Sequence, residues 1–305
     1  MHDEKGIADE KAVFITLDDL ISLKGKAKAF SLFKSKSASL HSGGHKSHLL
    51  ARGMEFAETR RYQAGDDIRT IDWRVTARTG KPHTKLFSEE RERSIYTCID
   101  FRSPMFFATQ GVFKSVQAAK IASLIAWKAA TSGDRIGGLI FDNYGLTEKR
   151  PMRGKSGVLP LLESISFSAK YSEDKMVRGQ IASMDLALSH ISTTVRPGSL
   201  VYIISDFRRC GINLNTYLHK IASHSQVVLC FLYDPVEEEL PSHNSFAITD
   251  GKSSYSLQTH SKKMLDAYKQ QFNQRKEQLK SVSQKKIHFT MCATTDDPTN
   301  MTLLD

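Results

Sequence analysis

Two acidic residues stand at the ends of apolar segments that have the composition of strands, where parallel sheets usually place functional side chains. Asp100 ends the segment Ile95–Asp100, and Asp206 ends the segment Leu200–Asp206. Because open parallel sheets bind ligands beyond the carboxyl ends of their strands, where the strand order reverses, we expect these two carboxylates to meet there. Unpaired carboxylates repel each other, so a divalent cation or a basic side chain must lie between them.

A divalent cation at this position would take its ligands from Asp100, Ser103 and Asp206. Magnesium prefers hard oxygen ligands in octahedral order, whereas the residues after Asp100 include the cationic Arg102 and then Pro104, which has no hydroxyl. We therefore predict an Arg–carboxylate cluster with Arg102 as the counter-ion, an empty metal site and no cofactor. Magnesium binding is the alternative.

A second set of acids lies among arginines between Gly53 and Arg93. Asp66, Asp67 and Asp72 could form the carboxylate metal centre of a hydrolase. The neighbouring arginines favour a structural network of ion pairs instead. These arginines are Arg60, Arg61, Arg69, Arg74, Arg78, Arg91 and Arg93. Trp73 is predicted to anchor a core, or to be an interface hot spot if it is exposed between arginines.

The sequence contains none of the common catalytic motifs. Arg153-Gly154-Lys155-Ser156 resembles the end of a phosphate-binding loop, but the glycine that this loop needs five positions before Gly154 is Lys149. The nucleophile-elbow and zinc-protease motifs are absent, and no motif ties a cysteine or serine to a histidine. We therefore expect neither catalysis nor a small-molecule substrate.

The chain of 305 residues carries a formal net charge of +10, and Lys24 to Arg52 is rich in basic residues without any acid. That segment could contact nucleic acid or an anionic membrane surface. Its scarcity of aromatic residues for base stacking favours a solvated connector. The start of the chain lacks a signal-peptide pattern, no apolar stretch reaches the length of a membrane span, about 18 residues, and the four cysteines form no C-x-x-C pair. We therefore expect a cytoplasmic protein with reduced thiols.

Strands and helices alternate after residue 93, which is typical of an α/β fold with a doubly wound, mostly parallel sheet flanked by helices. The predicted strands are Ile95–Asp100, Ile136–Phe141, Leu200–Asp206, Val227–Leu232 and Lys286–Cys292. The predicted helices are Thr16–Leu23, with Thr16 and Asp19 spaced as an N-terminal cap, Val112–Thr131, Val158–Phe167, Lys175–Val195 and one with an apolar face from Leu265 to Val282. The domain organisation follows: a disordered tail over 1–12, a short helix and basic connector over 13–52, an extension of short strands and turns over 53–93, and the main domain over 94–298.

The extension resembles the signature of a bacterial family, the domain of unknown function 58 family. The matching stretches are Gly53–Phe56, Tyr62–Arg74, Ala77–Gly80, Thr84–Phe87 and Glu89–Arg91. Later segments are similar to the same family, so the likeness covers nearly the whole chain. They are Gly133–Gly137, Ser205–Arg208, Asp234-Pro235 and Thr295–Pro298.

This resemblance implies a von Willebrand factor A-like domain in a family associated with MoxR-type AAA+ ATPases. Its members are thought to act with these ATPases in chaperone-like assembly or maturation of other proteins. Where such domains bind metal, the first strand ends in D-x-S-x-S and a later loop supplies a threonine. Here Arg102 and Pro104 replace the two serines, and Met184 stands at the threonine position. The resemblance therefore implies a degenerate metal site on a surface that binds proteins.

These patterns predict a non-catalytic adaptor for a MoxR-type ATPase, with other von Willebrand factor A-like proteins as further partners. The residues expected to bind the partner are Arg102, Ser103, Asp206 and Arg208 at the strand ends, and Asp66, Asp67, Arg69, Asp72, Trp73 and Arg74 in the extension. Two alternatives stay open. One is a metal-dependent hydrolase that uses Asp66, Asp67 and Asp72, and the other is nucleic-acid or membrane-surface binding through residues 24–52.

Overall fold

The computed structural model describes residues 11–33, 54–89, 93–170, 182–240, 245–249, 254–258, 262–283 and 285–301. The chain divides into two compact units. We call the unit within residues 34–92 the hairpin unit, and the unit formed by residues 1–33 and 93–305 the α/β unit.

The described elements alternate between helix and strand along most of the chain. The strands are β1 (Met54–Arg61), β2 (His83–Glu89), β3 (Ser94–Phe101), β4 (Arg135–Asp142), β5 (Leu146–Arg153), β6 (Leu200–Ser205), β7 (Gln226–Tyr233), β8 (Ser245–Thr249), β9 (Ser254–Gln258) and β10 (Ile287–Ala293). The helices are α1 (Leu17–Ser22), α2 (Trp73–Thr79), α3 (Lys114–Thr131), α4 (Gly154–Ser168), α5 (Met184–Thr194), α6 (Leu214–His224), α7 (Pro235–Glu238) and α8 (Lys262–Val282). Among these described helices, none has both the length and the apolar composition needed to cross a lipid bilayer.

Six strands of the α/β unit form one sheet, in the order β10-β7-β6-β3-β4-β5. Every neighbouring pair is parallel except β4 and β5. From β3 the chain builds outward through β4 and β5, then returns to the other side of β3 and builds outward through β6, β7 and β10. The strand order therefore reverses between β3 and β6, and the mostly parallel α/β architecture that the sequence predicts is confirmed.

Helices cover both faces of this sheet because its central strands are apolar on both faces. In β3, Ile95 and Ile99 belong to a core that includes residues of α1, α3 and α4. Tyr96 and Cys98, which point the opposite way, belong to a core that includes residues of α5, α6 and α8. This alternation is what a strand between two helical layers requires.

The segment before the hairpin unit packs within the α/β unit. Its helix α1 begins with the predicted cap, since Asp19 N donates to Thr16 Oγ1 and Thr16 N donates to Asp19 Oδ2, each over 3.1 Å. Further along, Ala27, Phe30 and Leu32 are buried in the same core as α3 and α4.

The predicted basic connector is corrected by this packing. Residues 24–33 are held in the α/β unit because Ala27, Phe30 and Leu32 are buried, whereas the lysines of this segment are exposed. Residues 34–52 and residues 1–10 of the predicted tail lie outside the described part of the chain.

The hairpin unit pairs β1 with β2 in antiparallel register and carries α2 between them. This helix begins at Asp72, whose Oδ1 accepts hydrogen bonds from Arg74 N and Val75 N. It ends at Gly80, whose φ of 67° is the left-handed conformation that favours glycine. The short strands and turns predicted for the extension are therefore present.

Several elements differ from the sequence-based expectation. The strand β5 is not predicted because its charged residues and Pro151 lack the apolar run of a buried strand; they suit its position at the sheet edge. The helix α4 begins at Gly154, four residues before the predicted start. The described part of α5 begins at Met184 with Ser183 as its cap, and the predicted start at Lys175 lies outside the described residues.

Candidate functional site

Asp100 and Asp206 lie at the ends of the adjacent parallel strands β3 and β6, and both are fully buried. The two strand ends are linked by Ser205, whose Oγ donates to Asp100 Oδ2 over 2.6 Å. The predicted meeting of these strand ends is therefore present. We call this side of the sheet, where the parallel strands end, the carboxyl edge.

Arg102 forms a two-pronged ion pair with Asp100. Its Nε lies 2.9 Å from Oδ1 and its Nη2 lies 2.7 Å from Oδ2. Burial by itself lowers the pKa of Arg102, but the hydrogen bonds and the charge of Asp100 outweigh it and raise that pKa above its ordinary value. Arg102 is therefore the counter-ion that the sequence predicts.

Lys114, the first residue of α3, is the second buried cation. Its Nζ lies 2.8 Å from Asp206 Oδ2 and 2.7 Å from Glu237 Oε1, and the three side chains are at most 3% exposed. Burial raises the pKa of Asp206, but the charge and hydrogen bond of Lys114 more than reverse this effect, so the pKa lies below its ordinary value. Arg208, whose side chain is 38% exposed, adds an ion pair of 3.3 Å with Glu237.

We call these six residues, Asp100, Arg102, Lys114, Asp206, Arg208 and Glu237, the strand-edge cluster. It holds three carboxylates and three basic side chains, so its charges balance internally. The geometry does not fit a divalent cation, because each carboxylate already has a basic partner where a metal would bind. Ser103 is also engaged elsewhere, since its Oγ accepts a hydrogen bond of 2.7 Å from Asn143. In the described part of the chain, no group of three or more His, Cys, Asp or Glu residues is placed to hold a metal ion.

The loop that follows β6 is held in a strained conformation above this cluster. Phe207 and Arg209 have φ values of 49° and 52°, which cost about 1–3 kcal/mol each for residues other than glycine. Arg102 supports the loop by donating from Nη2 to Arg208 O over 3.0 Å and from Nη1 to Arg209 O over 3.4 Å. The buried guanidinium of Arg102 therefore fixes both the carboxylate of Asp100 and the loop after β6. The side chain of Ile212, in the same loop, is 99% exposed.

Exposed apolar side chains are found on four segments at the carboxyl edge. They are Phe107 after β3, Tyr144 after β4, Leu186 in the first turn of α5 and Ile212 after β6. Together with the exposed part of Arg208, they give this edge the mixture of apolar and arginine side chains that is enriched in protein interfaces.

The acids predicted in the hairpin unit have local structural roles. Asp66 pairs with Arg60 Nη2 over 2.7 Å, and Asp67 accepts a hydrogen bond of 2.9 Å from Arg69 N. Asp72 caps α2, as described above. Trp73 at the start of α2 is 69% exposed, so the expectation of a core anchor is wrong, and its role as an interface hot spot stays a prediction. Arg69 and Arg74 are exposed as well.

Three residues around Asp206 are missed by the sequence analysis. They are Lys114, Glu237 and Arg275, whose Nη1 donates to Asp206 O over 3.4 Å. One feature of the sequence distinguishes Lys114: it is the sole charged residue in the first six positions of an apolar helix. No spacing motif connects Lys114 to the acids that it binds.

Sequence comparison identifies relatives across most of the chain. The family model described as "Protein of unknown function DUF58" matches residues 58–279. An uncharacterized protein of Mycobacterium tuberculosis and another of Mycobacterium bovis are each 30% identical over 220 residues, which cover 72% of this chain and 68% of the relative.

Structure comparison gives more distant likenesses. An aerotolerance-related membrane protein from Bacteroides fragilis has a TM-score of 0.39 at 12% identity, covering 68% of this chain and 93% of that one. The conserved hypothetical protein BatB from Bacteroides thetaiotaomicron has a TM-score of 0.40 at 11% identity, covering 66% and 90%. At these TM-scores the likenesses carry no conclusion about this chain.

Proposed function

This chain belongs to the DUF58 family, whose function is unknown, and on that premise we propose that it is a non-catalytic adaptor that binds other proteins at its carboxyl edge. The proposed partner is a MoxR-type AAA+ ATPase, and the α/β unit is proposed to act as a von Willebrand factor A-like domain. The observation that carries this proposal is the strand-edge cluster, in which each of the three buried carboxylates is paired with a basic side chain of the same chain.

A carboxylate that acts as a general base or metal ligand must be able to reach the substrate or the metal. Asp100, Asp206 and Glu237 are buried and ion-paired, so none of them is available for this chemistry. Solvent does reach the side chain of Arg208 and the exposed apolar residues at this edge. Such a surface is suited to binding a protein.

The cluster also gives the surface a fixed shape. Arg102 holds the carbonyl groups of the loop that bears Ile212, and Lys114 ties the ends of β6 and α7 together. A loop that is already ordered loses little conformational freedom when a partner binds, which favours affinity. The buried ion pairs therefore stabilise a surface that already has its shape before a partner binds.

The two alternatives keep their own tests. The hydrolase interpretation requires Mg²⁺ or Mn²⁺ to raise the melting temperature in a way that depends on Asp66, Asp67 and Asp72, because a ligand specific for the native state stabilises it. The nucleic-acid or membrane interpretation requires residues 24–52 for binding that weakens steeply with salt.

Affinity purification of the tagged chain from its native host tests the adaptor proposal. We expect an AAA+ ATPase with the wild-type chain, and its loss with the double variant Leu186→Asp, Ile212→Asp, which alters exposed apolar groups only. The matched control is Leu159→Asp on α4, an exposed apolar residue outside the carboxyl edge.

The possible results separate the two candidate surfaces. Equal recovery with the double variant would exclude the carboxyl edge as the interface, and loss with Trp73→Ala would place the interface on the hairpin unit. Failure to recover any AAA+ ATPase with the wild-type chain would contradict the proposed partner.

A further inference from the structure

A cleft of about 610 Å³ opens where the parallel strands of the sheet begin, on the side opposite the strand-edge cluster. We call this side of the sheet the amino edge. The cleft is lined by the first residues of β3 and β4, the last residues of β5, the C-terminal end of α5 and the residue before β6. Its volume lies within the range of about 300–1,000 Å³ that is usual for ligand sites. We call it the amino-edge cleft.

The charge of the cleft is positive. Arg135, Arg150 and Arg196 line it, against a single carboxylate, Glu148. Arg150 and Arg196 are exposed, and neither forms an ion pair with any residue that the structure describes. These two guanidinium groups lie on different elements, β5 and the residues just after α5.

The carboxylate of Glu148 is already bound within the protein. Tyr96 donates its hydroxyl proton to Glu148 Oε1 over 3.1 Å, and His190 Nε2 lies 2.8 Å from Oε2. Both oxygens of Glu148 therefore have partners other than arginine, and the cleft keeps its capacity for an anion.

The cleft also has an apolar wall. Met152 on β5 is 53% exposed, and Pro151 and Val195 line the cleft beside it. A small inorganic anion would leave this wall in water. The combination of separated guanidinium groups and apolar surface instead suits an extended ligand that alternates acidic and apolar groups.

We propose that the amino-edge cleft binds an acidic peptide segment of a second protein. Carboxylates of the segment pair with Arg150 and Arg196, and an apolar side chain packs against Met152 and Val195. Nucleic acid fits less well, because the Tyr96 ring is only 2% exposed and cannot stack on bases.

This inference goes beyond the proposed function and does not depend on it. The amino-edge cleft and the strand-edge cluster lie at opposite ends of the same strands, so both can be occupied at once. An adaptor with two such sites would hold one protein at each edge of the sheet.

Retention of peptides on the immobilised full-length chain tests the proposal. One pool consists of nonapeptides in which Asp or Glu alternates with apolar residues, and the matched pool carries Asn or Gln in place of the acids. We expect the acidic pool to be retained at least about fivefold more strongly than the amide pool, as two carboxylate–guanidinium pairs predict. The double variant Arg150→Glu, Arg196→Glu should abolish the difference, whereas Lys220→Glu, Lys263→Glu, which changes the net charge equally at exposed positions, should preserve it.

Equal retention of the two pools, or a difference that survives in the arginine variant, would overturn the proposal. Preferential retention of a labelled single-stranded oligonucleotide, lost in the arginine variant while the acidic pool is not retained, would also overturn it by assigning the cleft to nucleic acid. Because both arginines are exposed, the variant should melt like the wild type. It should also still recover the AAA+ ATPase, so failure of this proposal is distinguishable from failure of the adaptor proposal.

Discussion

The Nζ atom of Lys114 lies 2.8 Å from Oδ2 of Asp206, and the two side chains are exposed by no more than 1%. The same ammonium group holds Glu237, so one cation serves two carboxylates, one directly after β6 and one in α7. Removing one member of a buried ion pair is costly because it leaves the remaining charge without compensation. The strand-edge cluster is therefore expected to be sensitive to single substitutions.

Lys114→Met tests this sensitivity directly. Methionine replaces the aliphatic part of the side chain but leaves Asp206 and Glu237 without their shared cation. We expect the free energy of unfolding, measured with urea, to fall by about 3–5 kcal/mol. The control Lys220→Met, at an exposed position of α6, should change it by less than about 0.5 kcal/mol. Equal effects would show that the buried ammonium has no special role.

Acid should destabilise the protein through Asp206. Its pKa in the folded chain is below the ordinary value of 3.8, because the charges of Lys114 and Arg208 outweigh the effect of burial. Because of this lowered pKa, the ionised carboxylate stabilises the folded state at pH values above the pKa of the unfolded chain, about 4. This stabilisation is lost as the pH falls from about 4 through the pKa of the folded state. Urea unfolding at pH values between about 6 and 3 should therefore show a steeper loss of stability for the wild type than for Asp206→Asn. Parallel curves for the two proteins would contradict this assignment.

Arg102→Lys should release the loop after β6. Lysine keeps the charge but cannot reproduce the fork that binds Asp100 and the two loop carbonyls at once. Hydrogen bonds from a charged donor contribute about 1.5–3 kcal/mol each, so we expect trypsin to cleave after Arg208 or Arg209 at least about ten times faster than in the wild type. The control Arg196→Lys should leave the cleavage pattern unchanged, and first cleavage outside this loop in Arg102→Lys would contradict the prediction.

Substitution by alanine should have opposite effects on stability at Gly138 and at Gly25. A Cβ at Gly138 in β4 would overlap the carbonyl oxygen of Thr97 in the neighbouring strand, so Gly138→Ala should lower the free energy of unfolding by about 1–3 kcal/mol or more. Gly25 has helical φ and ψ with nothing within 4 Å of the Cβ position. Gly25→Ala should therefore stabilise the protein by about 0.4–1 kcal/mol. Urea unfolding of both variants gives the comparison, and a shared sign would contradict it.

The two tryptophans form a second matched pair. Trp127 of α3 is 3% exposed and its Nε1 donates to Leu20 O over 3.2 Å, whereas Trp73 is 69% exposed. Trp127→Ala should cost about 3–5 kcal/mol because it leaves a cavity. Trp73→Ala should leave the melting temperature nearly unchanged, since surface substitutions usually stay within about 0.5 kcal/mol. A large loss at Trp73 would show that its ring stabilises the fold.

Local sequence patterns were sufficient to predict Asp100, Asp206 and the counter-ion role of Arg102. Each of these residues lies beside the end of a strand that can be recognised from its own apolar sequence. Lys114 and Glu237 were beyond such reasoning. Lys114 reaches Asp206 and Glu237 across separations of 92 and 123 residues, and only the packing of α3 and α7 brings these side chains together. The burial of Ala27 and Phe30 was not predicted, since Lys24, Lys26 and Lys28 gave the segment the composition of a connector.

The cation beneath the carboxyl edge is attached to the chain by covalent bonds. A metal ion in that position could be removed by a chelator, replaced by another ion or left with a coordination position for a partner to fill. The ammonium group of Lys114 permits none of these exchanges. The electrostatic character of this edge is therefore set when the chain folds, because Lys114 is part of the chain itself.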